Sequence, residues 1–220
     1  NVEVIDPAHK FAHVRCPRCI TSRRCLEDDQ YPSHTDSLVI SCHGACPGND
    51  ETQASYGVFF GLGLDSRANH HNTAGRIRQL VPESLVQPTG QRAEIFAAIE
   101  ALEQGIQFVN FGGQWHCPDP KECGELYGFN MVGFKGCKAQ HLVIKTDSPY
   151  VVNSVTEYLG KWIEKGWKTA NRKPVKNQDL WKRLVEKIKE VMAAGAGVQF
   201  WLVSKEMNEE AQELAQMALD

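Results

Sequence analysis

Trp162-Ile163-Glu164-Lys165-Gly166-Trp167-Lys168-Thr169-Ala170-Asn171-Arg172-Lys173-Pro174-Val175-Lys176-Asn177-Gln178-Asp179-Leu180-Trp181 interleaves basic charge with large aromatic rings. From Lys161 to Glu190 there are ten Lys or Arg against four Asp or Glu, although the whole chain carries a formal net charge of −3. Basic charge is thus concentrated in one segment. Trp162, Trp167 and Trp181 recur near helical spacing, so some belong to a core, and several lysines read equally well as a solvated face. From Gln178 to Met192 the pattern is that of a long amphipathic helix.

Working outward, His141 to Thr146 reads as a core strand, followed by a helix through Val151, Val155, Tyr158 and Leu159. Gly197 to Val203 reads as a strand, and Asn208 to Leu219 as an Ala-rich terminal helix. Towards the N-terminus, Ser37 to Cys42 is short, apolar and β-branched, and Gly44 to Asn49 punctuates its end. Ala54 to Leu62 suggests a second strand antiparallel to the first, with a partner around Ala68 to Ile77. After Pro88 the period changes. Ala93, Phe96, Ala97, Ile99 and Leu102 recur at helical spacing from about Gly90 to Gln104, and Thr89 is the expected N-cap. Strands followed by helices in this order suit a mixed sheet with helices on its faces, an α/β layer architecture.

Residues 1–35 show no clear period and read as an irregular arm, and 112–139 as a long Gly-, Cys- and Pro-rich loop. Of the eight cysteines, Cys16, Cys19 and Cys25 with His34 have spacing that suits a small tetrahedral Zn2+ site, and His13 adds another soft donor. Disulfides or free thiols fit the same residues. His70, His71, His116 and His141 stand without a motif and read as surface or core residues. No apolar run is long enough for a membrane helix, and Asn1 to Lys10 is mixed polar. No membrane partner is expected, and an intracellular setting, nuclear or cytoplasmic, is expected over secretion. The net charge of −3 argues against a protein that coats nucleic acid non-specifically.

From about Asp36 to the C-terminus the chain resembles the cellular ribonuclease H family. Val39-Ile40-Ser41-Cys42-His43-Gly44-Ala45-Cys46 with Asn49 resembles its opening strand, with His-Gly-Ala in place of Asp-Gly-Ala. Pro88-Thr89-Gly90-Gln91-Arg92-Ala93-Glu94 is similar to its Thr-Asn-Gln-Arg-Ala-Glu helix start, with Gly90 replacing Asn. Ile144-Lys145-Thr146-Asp147-Ser148 is similar to the third acid-bearing strand. The Trp162–Trp181 stretch resembles the basic protrusion that grips the DNA strand of an RNA:DNA hybrid. Val203 to Gln212 resembles the short-loop form of the family, and the Cys-bearing arm is similar to that of fungal members. The resemblance implies a ribonuclease H-like mixed five-stranded sheet with helices on both faces, over 36–220, with a Cys-rich insertion at about 112–139.

By that resemblance the chemistry is hydrolysis of the RNA strand with two divalent ions, Mg2+ or Mn2+, held by four carboxylates. Carried over position by position, the four sites are His43, Glu94, Asp147 and Gln212. Two carboxylates are replaced, and the formal charge falls from about −4 to about −2 while two cations must sit roughly 4 Å apart. An imidazole suits zinc or manganese better than magnesium. Glu209, three residues before Gln212, shares its helix face and is the nearest candidate to substitute for it. Asn49 and Gln91 are expected on the RNA side, Thr89 and Asn177 at a DNA phosphate, and Tyr158, Trp162 and Thr169 in the DNA channel beside Lys165 and Lys168. Three functions follow: a catalytically impaired binder of RNA:DNA hybrid or a related duplex; a weakly active metal-dependent endonuclease; or a fold reused for protein partners through the N-terminal arm or the Cys-rich loop.

Overall fold

Val39, Ile40 and Cys42 are all fully buried, so the strand that carries them is covered on both faces. That strand, β3 (Ser33–Ala45), is the centre of the molecule. The computed structural model describes residues 3–5, 12–15, 33–47, 53–61, 71–77, 89–110 and 139–220. On one side β3 pairs antiparallel with β4 (Ser55–Phe59), which pairs antiparallel with β5 (Thr73–Arg76). On the other it pairs parallel with β6 (His141–Thr146), which pairs parallel with β7 (Gly197–Leu202). These five strands form the expected mixed sheet.

The sheet has seven strands, because β1 (Glu3–Ile5) and β2 (Ala12–Arg15) continue it beyond the N-terminal half of β3. The reading of the whole arm as irregular is corrected there. Neither segment has a strong strand signature of its own; pairing with β3, and a bond from the Ala12 amide to the Phe60 carbonyl (3.1 Å), supplies the order. Ala12 packs with Val39, Val143 and Trp201.

Helix α1 (Gly90–Asn110) lies on one face of the sheet, burying Ile95, Ile99 and Leu102 against Ile40, Leu142 and Ile144. It runs six residues past the expected end at Gln104, straight through Gly105. A Cβ on Gly105 would lie 2.7 Å from Ile40 Cδ1 and 2.8 Å from Leu142 Cδ1. Close packing on the sheet therefore outweighs the poor helix propensity of glycine. After β6 come α2 (Pro149–Asn153), a π-helical turn (Ser154–Tyr158) and α3 (Leu159–Glu164). Helix α4 (Gln178–Ala193) packs beside α1 through Leu180, Trp181, Leu184 and Val191.

Helix α5 (Glu209–Met217) covers the opposite face over β4. Gly57 permits that approach: a Cβ there would fall 2.3 Å from the Ala211 carbonyl oxygen. Ser55 Oγ donates to the Ala215 carbonyl (2.6 Å), and Arg76 Nη2 to that of Leu219 (2.6 Å), fixing the end of the chain to the sheet. No described helix is long and apolar enough to cross a membrane.

Candidate active site and nucleic-acid interface

His43 sits near the C-terminal end of β3, and the glycine after it sets what that strand meets. A Cβ on Gly44 would lie 2.1 Å from the Ala93 carbonyl carbon and 2.3 Å from the Glu94 amide nitrogen. Only glycine admits α1 this closely, and the approach carries Glu94 in beside His43. Asp147 and Ser148 follow directly on β6, where the chain turns into α2. Ser148 caps α2, its Oγ accepting from the Val151 amide (3.2 Å) and donating to Glu94 Oε2 (2.5 Å).

Asp147 Oδ1 receives two donors, His43 Nδ1 at 2.9 Å and Asn208 Nδ2 at 2.7 Å. Asn208, fully buried ahead of α5, also donates to the Cys42 carbonyl (3.1 Å) and so pins α5 to the site. Gln212 points its amide nitrogen at the Lys205 carbonyl (2.7 Å), and Glu209 stays exposed. The structure thus brings His43, Glu94 and Asp147 together, with Gln212 on the adjoining helix turned to backbone. Sequence reasoning missed Asn208 and Ser148 as site residues; each stands at the mouth of a helix, where short polar side chains are usually read as caps. Between the site residues, burial pushes the Cys42 thiol up to about 12, so it stays protonated.

The two carboxylates differ. Burial raises Glu94 above the ordinary range, and the nearby Asp147 charge adds to this, against the Ser148 bond and the charges of His43 and Lys205. Burial acts on Asp147 too, but the His43 bond and charge and the Asn208 bond outweigh it and lower the group. A raised carboxyl opposes folding once it ionises; a lowered one adds stability above its unfolded value near 4 and loses it as pH falls through the folded value. At pH 7 in chelator, Glu94→Gln is therefore expected to raise the thermal midpoint. Asp147→Asn is expected to destabilise by about 1–3 kcal/mol. Both differences shrink below about pH 4, and denaturation scans at the two pH values check the signs.

The basic segment is rigidly built. Tyr158, 44% exposed, stacks on Trp162 with centroids 5.9 Å apart, and Trp162 leans on buried Trp181. The π-helical turn ends at Tyr158, shifting the register of the helix so that the pair forms a ledge. Lys161 Nζ lies 5.9 Å over the Tyr158 ring. α3 ends in a Schellman cap: the Gly166 amide bonds the Ile163 carbonyl (3.1 Å) and the Trp167 amide that of Trp162 (2.6 Å). Buried Val175, bonded through its amide to the Trp167 carbonyl (3.1 Å), closes the loop and leaves Lys165, Lys168, Lys173 and Lys176 exposed.

Not every expected contact residue is turned outward. Thr169 Oγ1 donates to the Lys173 carbonyl (3.1 Å) inside the loop. Asn177, left-handed at φ 55°, donates through Nδ2 to the Tyr150 hydroxyl (3.2 Å), and its Oδ1 accepts from Arg92 Nη1 (3.4 Å). Thr89 Oγ1 accepts from the Arg92 amide (3.3 Å), the expected N-cap, and exposed Gln91 lies in the first turn of α1. Arg92, 1% exposed, grips Asp179 with both Nη atoms, at 3.0 and 2.5 Å, and so ties the start of α1 to the start of α4.

Asn49, Cys16, Cys19, Cys25 and the 112–139 insertion lie, wholly or almost wholly, outside the described residues, and His34 pairs with Val14 in β3. Among the described residues no three or more His, Cys, Asp or Glu side chains gather as a metal-holding group.

The family model for RNase H matches residues 124–219. The ribonuclease H of Paracoccus denitrificans is 38% identical over 149 residues, covering 68% of this chain and 71% of that protein. The chain belongs to the ribonuclease H family. The ribonuclease H of Crithidia fasciculata is 36% identical over 156 residues, 67% of this chain but 28% of that protein, so the chain spans under a third of that relative. The structure of the foamy viral protease-reverse transcriptase in complex with RNA/DNA hybrid superposes with TM-score 0.51 at 18% identity, over 86% of this chain and 21% of that one, a likeness of fold. Ribonucleases H use divalent metals such as Mg2+.

Proposed function

We propose that this ribonuclease H domain binds RNA:DNA hybrid or a related duplex and is impaired in hydrolysing it. The observation that carries the second half is the His43–Asp147 hydrogen bond. An imidazole N–H occupies one carboxylate oxygen of Asp147, and Gln212 contributes a neutral amide whose nitrogen is engaged elsewhere. A magnesium ion wants several charged oxygens, and two ions about 4 Å apart want more. The donors here do not fit the pair. Binding is supported by the exposed lysines arrayed beside the Tyr158–Trp162 ledge, with Thr89 and Gln91 at the start of α1. Charge of that kind holds phosphates, and polar groups at helix starts sense the other strand.

A fluorescent RNA:DNA hybrid titrated with the chain at several salt concentrations tests the binding half. Log affinity should fall linearly with log salt, and the slope should become shallower by about 2 when Lys165→Gln and Lys168→Gln are combined. An unchanged slope removes those lysines from the interface. The second reading, weak cleavage with manganese, draws on Glu94 and Asp147, the charge of Asp147 bearing on the Glu94 carboxyl. It requires products that vanish on Asp147→Asn.

A further inference from the structure

One oxygen of each retained carboxylate is engaged here by the chain itself, and so is the Gln212 amide nitrogen. Asp147 Oδ1 holds His43 Nδ1 and Asn208 Nδ2, Glu94 Oε2 holds the Ser148 hydroxyl, and the Gln212 amide nitrogen is turned to the Lys205 carbonyl. A site built for a cation presents carboxylates that repel one another until it arrives. This one presents donors already in place. Asp147 is 4% exposed and Asn208 fully buried, so an ion entering at Oδ1 would have to break those bonds in a poorly solvated setting and strand the N–H groups. Magnesium gives up its own waters reluctantly, which makes the exchange harder still.

We propose that His43, with Asn208 and Ser148 as the neighbouring donors, takes the place of the divalent ions, so that the domain folds, and holds its duplex, without one. The folding half stands alone; the duplex half rests on the reading given under Proposed function.

The test is Mn2+ binding to the full chain without nucleic acid, followed by water-proton relaxation and by the thermal midpoint. The unaltered chain should take up no Mn2+ at up to about 1 mM and show no shift in midpoint. His43→Asp combined with Gln212→Asp removes the internal donor and restores oxygen ligands. That variant should bind Mn2+ at least about tenfold more tightly than the unaltered chain, melting lower in chelator and higher with the ion. Stoichiometric uptake by the unaltered chain overturns the proposal. So does a folded double variant that gains no affinity, and His43→Asp alone carries that arm if the double variant does not fold. Hybrid affinity should be the same in chelator and in Mg2+; a strict Mg2+ requirement for binding overturns the duplex half. Failure to bind hybrid under any condition, with the Mn2+ results as expected, would instead overturn the functional reading and leave the folding half intact.

Discussion

Gly44→Ala lowers the thermal midpoint by about 6–12 °C, corresponding to about 3 kcal/mol at the upper end of overpacking effects for a chain of this size. The new methyl meets backbone, with the Ala93 carbonyl carbon at 2.1 Å and its oxygen at 2.2 Å, and no rotamer relieves a backbone clash. Either β3 or the first turn of α1 must move, and both carry site residues, His43 on the strand and Glu94 on the helix. Circular dichroism melting checks the stability. A variant as stable as the parent would mean that β3 and α1 lie further apart than described.

Asp179→Ala destabilises by about 2–3 kcal/mol, somewhat less than a fully enclosed pair because water reaches Asp179. The damage comes from the partner: Arg92 is 1% exposed, its Nε is buried without an acceptor among the described residues, and its other nitrogens face Asp179 and Asn177. Removing Asp179 leaves a buried guanidinium largely uncompensated. The Arg92 bond and charge, with backbone donors, hold Asp179 below the ordinary carboxylate range against its partial burial. Its stabilisation is thus complete above the unfolded value near 4 and is lost as pH falls through the lower folded value. Denaturant unfolding should accordingly show the parent and Asp179→Ala far apart at pH 7 and converging below about pH 3. Since the pair joins the start of α1, with Thr89 and Gln91, to the start of α4 behind Asn177, hybrid affinity should drop with it.

The concentration of basic charge and aromatic rings from Lys161 to Trp181 was legible locally, and its reading as a protrusion came through resemblance. The meeting of His43, Glu94 and Asp147 was legible only through resemblance, since the residues lie on three separate elements. What the sequence concealed was direction. Nothing in the order of residues says that the His43 imidazole donates to Asp147, that Gln212 turns to a carbonyl, or that Asn177 and Thr169 direct their side-chain donors inward. Asn208 and Ser148 stand at helix starts, and their bonds to Asp147 and Glu94 reach across the fold. The strand character of Ala12–Arg15 was hidden for a related reason, because it comes from the open edge of β3 and not from the segment's own propensity.

The most direct test incubates a labelled RNA:DNA hybrid with the domain, resolved both for mobility shift and for cleavage in chelator, Mg2+ and Mn2+. A salt-sensitive shift with an intact RNA strand is expected in all three. RNA products that appear with either ion and disappear on Asp147→Asn would contradict it.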